Sequence, residues 1–252
     1  MNEKINAETA EILGAFIGDG WIEKNLNGIY ITGDMTEDKE YYDKYLGPLF
    51  CQKFSEVKPR KFKYWGVYGI SCYKRKVISK CIKLGFKPGK KALTVKIPSN
   101  IFNSKEKEII IPLLRGIFDA DGSFWCEKSR AKTSSEWKRK YHYHPEFQIT
   151  SISKGLLDQI KILLNSLDIE SKVTLRCKKG IVCNRNVNNC YGLRIRKKKE
   201  IEKWFKIIGS SNPRHQTRFL TWKKIGYLPP RTNLNQRKEI LNGKLDPKSF
   251  YE

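Results

Sequence analysis

Two short stretches of the chain carry aspartates placed for chemistry. Residues 12–20 read ILGAFIGDG and residues 114–122 read LRGIFDADG. In both, an apolar run ends on an aspartate followed by glycine: Asp19-Gly20 and Asp121-Gly122. A carboxylate in the last turn of a helix sits at the negative end of the macrodipole, and aspartate is a poor helix former, so stability does not select it there. A lone Asp-Gly step reads as a helix stop, with glycine as a left-handed cap. Two such carboxylates brought together repel, and one is driven toward protonation. A divalent cation removes the conflict. Mg²⁺ takes hard oxygen ligands and binds substrate phosphates through one or two carboxylates. Asp19 and Asp121, with the helix-end carbonyls of Gly18 and Ala120, are therefore candidate metal ligands. The chemistry they would serve is metal-assisted phosphodiester hydrolysis.

That reading needs elements that bring the two aspartates together, and the chain supplies them by repeating itself. Gly14 aligns with Gly116, Phe16 with Phe118, Gly18 with Ala120 and Asp19 with Asp121, all at an offset of 102. Gly14 and Gly18 share one helix face, as do Gly116 and Ala120. Each interior glycine costs about 1 kcal/mol relative to alanine. Close approach of two helix backbones is the simplest return for that cost. Each motif is followed by an alternating segment, 28–32 and 145–150, and then by a helical pattern, 39–50 and 154–167. Strand candidates come next, at 57–64 and 66–72 in one half and at 171–177 and 191–196 in the other. Each half closes on a helix, near 74–84 and 197–208. The expected fold is α+β, with antiparallel sheets covered by helices on one face. The expected boundaries are 1–85 for the first repeat, 86–106 for a linker, 107–228 for the second repeat and 229–252 for a C-terminal tail or a small appended helix.

Composition narrows the partners. Of 252 residues, 50 are Lys or Arg and 26 Asp or Glu, a net charge of +24. Such an excess points to a polyanion, nucleic acid first; a lysine-rich solvated surface is the alternative. No apolar run approaches the roughly 20 residues that span a bilayer. The opening MNEKINAETAEI has neither signal-peptide nor transit-peptide character, so no membrane partner and an intracellular site are expected, cytoplasmic or in an organelle matrix. Cys51, Cys72, Cys81, Cys126, Cys177, Cys183 and Cys190 fit reduced thiols and match no common zinc spacing.

The paired motifs and the matching downstream pattern resemble the LAGLIDADG homing endonuclease family in its single-chain, two-repeat form. The likeness covers roughly residues 8–220, and LRGIFDADG keeps most of the signature. Ile17 replaces the acidic sixth position in the first copy, which implies that its counterpart Asp119 is not essential. The resemblance implies two pseudo-symmetric αββαββα repeats forming a DNA-binding saddle, with the motif helices at their interface. It also implies a monomer that cuts both strands of a long duplex site to leave 3′ overhangs. Asp19 and Asp121 would be the catalytic, metal-binding acids. Mg²⁺ would be the cofactor, with Mn²⁺ as a substitute and Ca²⁺ binding without cleavage. A basic residue usually follows each half's last helix. Lys91, or its neighbour Lys90, is the candidate in the first half, and His215 or Arg218 in the second; a phosphate contact away from the chemistry is the alternative for each. The polar residue often found after the second strand is Gly33 in one half and Ser151 in the other, which leaves a water-ordering role unassigned.

Strand alternation assigns a reading face. With Ile31 and Ile149 toward the helices, Tyr30, Thr32, Gln148 and Thr150 face DNA. With Val173, Leu175, Leu193 and Ile195 inward, Lys172, Thr174, Arg176, Arg194 and Arg196 face outward. Glu23, Asn25, Trp125 and Glu127 join that face. Arg and Gln pair bidentately with G and A edges in the major groove. The chain opens on Met1 and ends on Glu252 without the terminal residues of a complete intein, so an intron-borne or free-standing mobile gene is expected. An intron RNA maturase, or a non-cutting DNA-binding protein of the same fold, is the rival class.

Overall fold

A computed structural model describes residues 5–104, 106–128, 141–182 and 185–251. Cys183 lies outside them; the six cysteines within them are free thiols. Among the described residues no helix is long and apolar enough to cross a membrane.

The first repeat begins with α1 (Ala7–Asp19), whose first turn is capped by the Asn6 side chain accepting the Thr9 N–H at 3.0 Å. β1 (Gly20–Ile22) and β2 (Ile29–Asp34) follow as a hairpin. The expected helix over 39–50 is α2 (Lys39–Tyr41), a π-helical stretch (Tyr42–Leu46) and α3 (Gly47–Lys53). The wide turn falls just before Pro48, which has no N–H to continue the regular ladder. β3 (Arg60–Phe62), β4 (Val67–Cys72) and α4 (Arg75–Lys83) complete the repeat. After a connection containing α5 (Ser99–Phe102), the second repeat runs through α6 (Lys107–Asp121), β5 (Gly122–Glu127), β6 (His144–Ser151), α7 (Lys154–Ser166) and β7 (Lys172–Cys177). It continues through a small hairpin, β8 (Gly180–Val182) and β9 (Arg185–Val187), then β10 (Cys190–Ile195) and α8 (Lys198–Ile207).

Both sheets are antiparallel with the same connectivity, β1-β2-β4-β3 and β5-β6-β10-β7. The expected α+β fold of two αββαββα repeats is what forms. Ile29, Ile31, Phe147, Ile149, Leu193 and Ile195 point into the core with essentially no exposure. Leu175, expected inward, is 44% exposed because β7 is an edge strand with a bulge against β10.

The motif helices α1 and α6 pack on one another at backbone distance. A Cβ on Gly14 would fall 2.2 Å from the Leu113 carbonyl oxygen, and one on Gly116 would fall 2.1 Å from that of Glu11. This reciprocal exclusion is why both positions are glycine. Buried Glu11 ties the repeats further, accepting from Arg115 Nη1 at 3.1 Å and Ser211 Oγ at 2.7 Å.

Two further helices follow α8, the second inside the segment expected to be a tail or a small appended helix. α9 (Pro213–Ile225) opens on an Asn212 cap with Pro213 in its first turn and ends on left-handed Gly226. α10 (Leu234–Leu241) opens on a reciprocal Asn233–Gln236 capping box. A 3₁₀ turn (Pro247–Tyr251) ends the described chain.

Candidate active site at the paired helix ends

α1 and α6 both stop on glycine, but neither glycine adopts the left-handed conformation that an Asp-Gly stop suggests. Gly20 (φ −85°, ψ 155°) and Gly122 (φ −81°, ψ 162°) are extended and lead straight into β1 and β5. A Cβ at either would lie 2.1 Å from a ring carbon, of Phe16 or of Phe118. Glycine is needed there because a phenylalanine covers it.

This geometry brings Asp19 and Asp121 together. A Cβ on Gly18 would sit 2.6 Å from the Ala120 Cβ and 3.3 Å from the Asp121 carboxyl carbon, so the Asp121 carboxyl lies against the other helix's last turn. Asp19 is pushed up to about 7, first by burial and then by the charges of Asp121 and Asp38. Asp121 is pushed up to about 6 by burial, with Lys91 opposing. Two hard oxygen donors raised in this way, one of them by the other, fit a divalent cation held between them.

Lys91, not exposed Lys90, reaches the site. Its ammonium donates to the Ile17 carbonyl at 2.5 Å and to the Gly18 carbonyl at 2.8 Å. Burial draws it down to about 8, against the pull of Asp121 and Asp19. The Gly18 carbonyl, a candidate metal ligand, is thus already an acceptor for Lys91.

The second half differs. His215 is fully buried with its ring 4.5 Å from that of Phe118, and burial holds it well below its ordinary value. Arg218 lies 3.7 Å from Glu37. The cation beside the pair on this side is Arg214, bound to Asp38 at 3.0 Å and lowering Asp19. Asp38 explains Gly33: a Cβ on Gly33 would meet Asp38 Oδ2 at 2.7 Å, so the carboxylate occupies the space a side chain would take. Asp38 is held by Asn212 Nδ2 at 2.8 Å and by the Asp34 N–H at 2.9 Å. In the other half the Ser151 hydroxyl accepts the Ser153 N–H at 3.1 Å. Asp119 is buried and structural: it accepts from Ser210 Oγ and, at 2.8 Å, from the Ser211 N–H. Burial raises it to about 8.

The segments after each repeat cross over. Residues 95–97 of the first connection dock on the second repeat, where Ser153 donates to the Val95 carbonyl (2.8 Å) and Gln159 pairs with the Ile97 backbone (2.8 and 3.2 Å). Residues 210–214 dock on the first repeat through Asp38 and Glu11. Asp38, Asn212 and Arg214 were not singled out from sequence. The Asn212-Pro213 helix start was the legible signal for two of them.

The reading faces are only partly as alternation suggests. Tyr30 lies on the outer face but is 7% exposed, covered by Trp21, Phe62, Trp65 and Tyr73. Its hydroxyl donates to Glu23 at 2.8 Å. Gln148 is 1% exposed; its amide donates to Thr150 Oγ1 (2.6 Å) and accepts from Arg194 Nε (3.2 Å). Both are foundations for neighbouring groups rather than free contacts, because larger side chains on adjacent strands close over them. Glu23 and Asn25 belong to the β1–β2 turn, and exposed Arg196 follows β10. Thr32 and Thr150 are half-buried opposite Gly69 and Gly192. Trp125 Nε1 bonds Glu127 at 3.2 Å on β5. Lys172 and Arg176 are exposed on β7, with Thr174 half-buried between them.

Comparison with known proteins agrees with this architecture. Residues 108–209 match the family model described as a LAGLIDADG-like domain, a span running from α6 to just past α8. The replication factor C small subunit of Methanocaldococcus jannaschii is 25% identical over 247 residues, covering 93% of this chain but 12% of that protein's length. Among solved structures, mesophilic variants of the homing endonuclease I-DmoI superpose with a TM-score of 0.53 at 17% identity, over 82% of this chain and 91% of that one. I-DmoI in complex with DNA and Mn gives a TM-score of 0.52 at 16% identity, over 81% and 97%. At such identities the likeness to the solved structures is one of fold.

Proposed function

With a LAGLIDADG-like domain at residues 108–209 and the fold of I-DmoI across most of the chain, we propose that this protein is a site-specific double-strand DNA endonuclease. It acts as a monomer on a long asymmetric duplex and leaves 3′ overhangs. The observation that carries the reading is the pair Asp19 and Asp121, at the ends of two helices in backbone contact, with a matching four-stranded sheet on each side.

Asp19 and Asp121 would hold the cation, Mg²⁺ by preference and Mn²⁺ as a substitute. When bound, the cation supplies charge neutralisation at the scissile phosphate and polarises the attacking water. The chain's own groups do the rest. Lys91 presents a fixed ammonium within the site, suited to the charge that develops on phosphate oxygens. Arg214 fixes Asp38 beside Asp19 and offsets its charge. Lys172, Arg176 and Arg194 offer donors to a groove, and the net charge of +24 draws the duplex in. Affinity falls steeply with salt, by about 0.9 in log–log slope per phosphate neutralised.

The test is cleavage of a randomised or genomic duplex library in Mg²⁺, with Asp19→Asn and Asp121→Asn proteins alongside. Cutting of one long sequence by the wild type alone supports the reading. If nothing is cut and a duplex or a folded intron RNA is retained in Mg²⁺ or EDTA alike, the protein is a binder or maturase of this fold.

A further inference from the structure

The two sheets occupy equivalent places but differ in chemistry at equivalent positions. In the first, Trp21 on β1 stands opposite Tyr30 on β2, and Tyr30 stands opposite Ser71 on β4. In the second, the same register places Ser123 opposite Gln148, and Gln148 opposite Arg194. One face is built on a Trp–Tyr pair, the other on a Ser–Gln–Arg row. Around Tyr30 the first face gathers Trp21, Phe62, Trp65 and Tyr73 within 6.0 Å between ring centroids. Trp21, Trp65 and Tyr73 remain 40%, 47% and 54% exposed. Large apolar groups left this open mark a contact surface.

Charge says what the surface meets. Arg60 of β3 lies on this face, and Lys58 and Lys63, which flank β3 in the chain, are exposed. The acid nearest its centre, Glu23, is bonded to the Tyr30 hydroxyl. An aromatic patch flanked by lysines fits nucleic acid better than an apolar protein face. Ring geometry says which part of it. Trp21 stacks on Tyr30 (5.0 Å, 21°) and Trp65 on Phe62 (5.6 Å, 14°), while Arg60 lies over Phe62 and Tyr73 at 4.9 and 5.9 Å. One flat face each of Trp21, Trp65 and Tyr73 is taken up within the cluster, by Tyr30, Phe62 and Arg60. What remains is suited to apolar edge contact rather than to stacking on unpaired bases. In the major groove the apolar feature is the C5 methyl of thymine.

We propose that the first repeat reads its half of the duplex through thymine methyl groups, by way of Trp21, Trp65 and Tyr73, whereas the second reads its half through hydrogen bonds from Lys172, Arg176 and Arg194. The proposal rests on the nuclease reading for its choice of duplex DNA and adds which bases one half of the target carries.

The test starts from a randomised duplex pool selected on the wild-type protein in Ca²⁺. Selected sequences are expected to carry a thymine cluster on one side of the centre. Replacing those thymines by deoxyuridine, which removes only the methyl, weakens binding about fourfold per methyl in contact. The same replacement in the other half changes little. Trp21→Ser with Trp65→Ser erases the difference between thymine and deoxyuridine, whereas Lys172→Gln leaves it intact. Retained duplexes that show no thymine bias, or that tolerate deoxyuridine equally in both halves, overturn the inference and leave the nuclease reading standing. Retention of single strands in preference to duplex overturns it in favour of base stacking. If the pool yields no bound nucleic acid, the nuclease reading falls, and this inference with it.

Discussion

Asn212 donates to the Asp119 carbonyl at 3.2 Å, and by the repeat alignment that carbonyl is the counterpart of the Ile17 carbonyl, which accepts from Lys91 at 2.5 Å. The same backbone position is thus met by a cation in one half and by a neutral amide in the other. The site is symmetric in its carboxylates and asymmetric in its donors. Losing one preorganised donor at a reacting centre costs roughly 10²–10³ in rate. Lys91→Met is therefore expected to slow one strand's cleavage about a hundredfold and the other's much less, so that nicked duplex accumulates. Strand-labelled substrates read this directly; equal slowing of both strands would show that the asymmetry has no catalytic consequence.

Gly14 and Gly116 give a test of the helix pair. Alanine is the better helix former by about 1 kcal/mol, so propensity alone would make Gly14→Ala stabilising. The new Cβ would sit 2.2 Å from a backbone oxygen of α6, and a rigid backbone has no rotamer with which to yield. Overpacking of this kind costs about 1–3 kcal/mol or more. Gly14→Ala and Gly116→Ala are both expected to lower Tm, and to lower cleavage further than the same Tm loss from a remote substitution, because the aspartates ride on these helices. A neutral or raised Tm would mean that the helices separate at no cost.

How much of this was legible beforehand follows from where the information lies. The repeat, the aspartate pair and the small-residue face are local patterns, and the fold that they imply is the one observed. Lys91 could be placed near the site, yet choosing it over Lys90 needed the turn that buries one and exposes the other. Tyr30 and Gln148 were on the expected face but not at its surface, since strand alternation gives direction and says nothing of what a neighbouring strand lays on top. Asp38 and Arg214 come from segments more than 170 residues apart, and only the crossing of the arms brings them together. The start of α9 was written in Asn212-Pro213, a signal that the lysine-rich surroundings obscured.

The carboxylate pair makes a pH prediction with a definite sign. Asp19 and Asp121 rise from 3.8 to about 7 and about 6 in the folded protein. A raised acid contributes stability that is whole below its unfolded value and is lost as pH climbs through its folded value. In metal-free protein, these two groups therefore cost the folded state stability as pH rises from about 4 to about 7, and the loss is complete above that. Buried His215 has the opposite sign near its ordinary value of 6.5, so the useful quantity is the difference between proteins. Asp19→Asn is expected to match the wild type in Tm near about pH 3.5, below the unfolded value, and to exceed it near about pH 8 in EDTA. Mg²⁺ should raise the wild-type Tm at pH 8 by binding the folded state, and raise the variant's far less. Parallel pH curves for the two proteins would remove the electrostatic argument for the cation.

Arg237 makes the last prediction, on the C-terminal helix. Its side chain is fully buried: Nη2 meets Glu37 of the first repeat at 2.5 Å, Nε meets Thr217 on α9 at 3.0 Å, and Nη1 meets the Thr232 carbonyl. Glu37 also accepts the Leu234 N–H at 2.8 Å, where α10 begins. α10 is thus fastened to both repeats through one buried guanidinium. Removing one member of such a pair leaves the other desolvated and costs about 3–5 kcal/mol, or roughly 6–20 °C in Tm for a chain of this size. Arg237→Met should show that loss, and adding Glu37→Gln should restore part of it, because the stranded charge is gone. If the two losses simply add in thermal unfolding, the pair is not coupled. The helix would then be held by its apolar contacts, Leu234 and Ile240, alone.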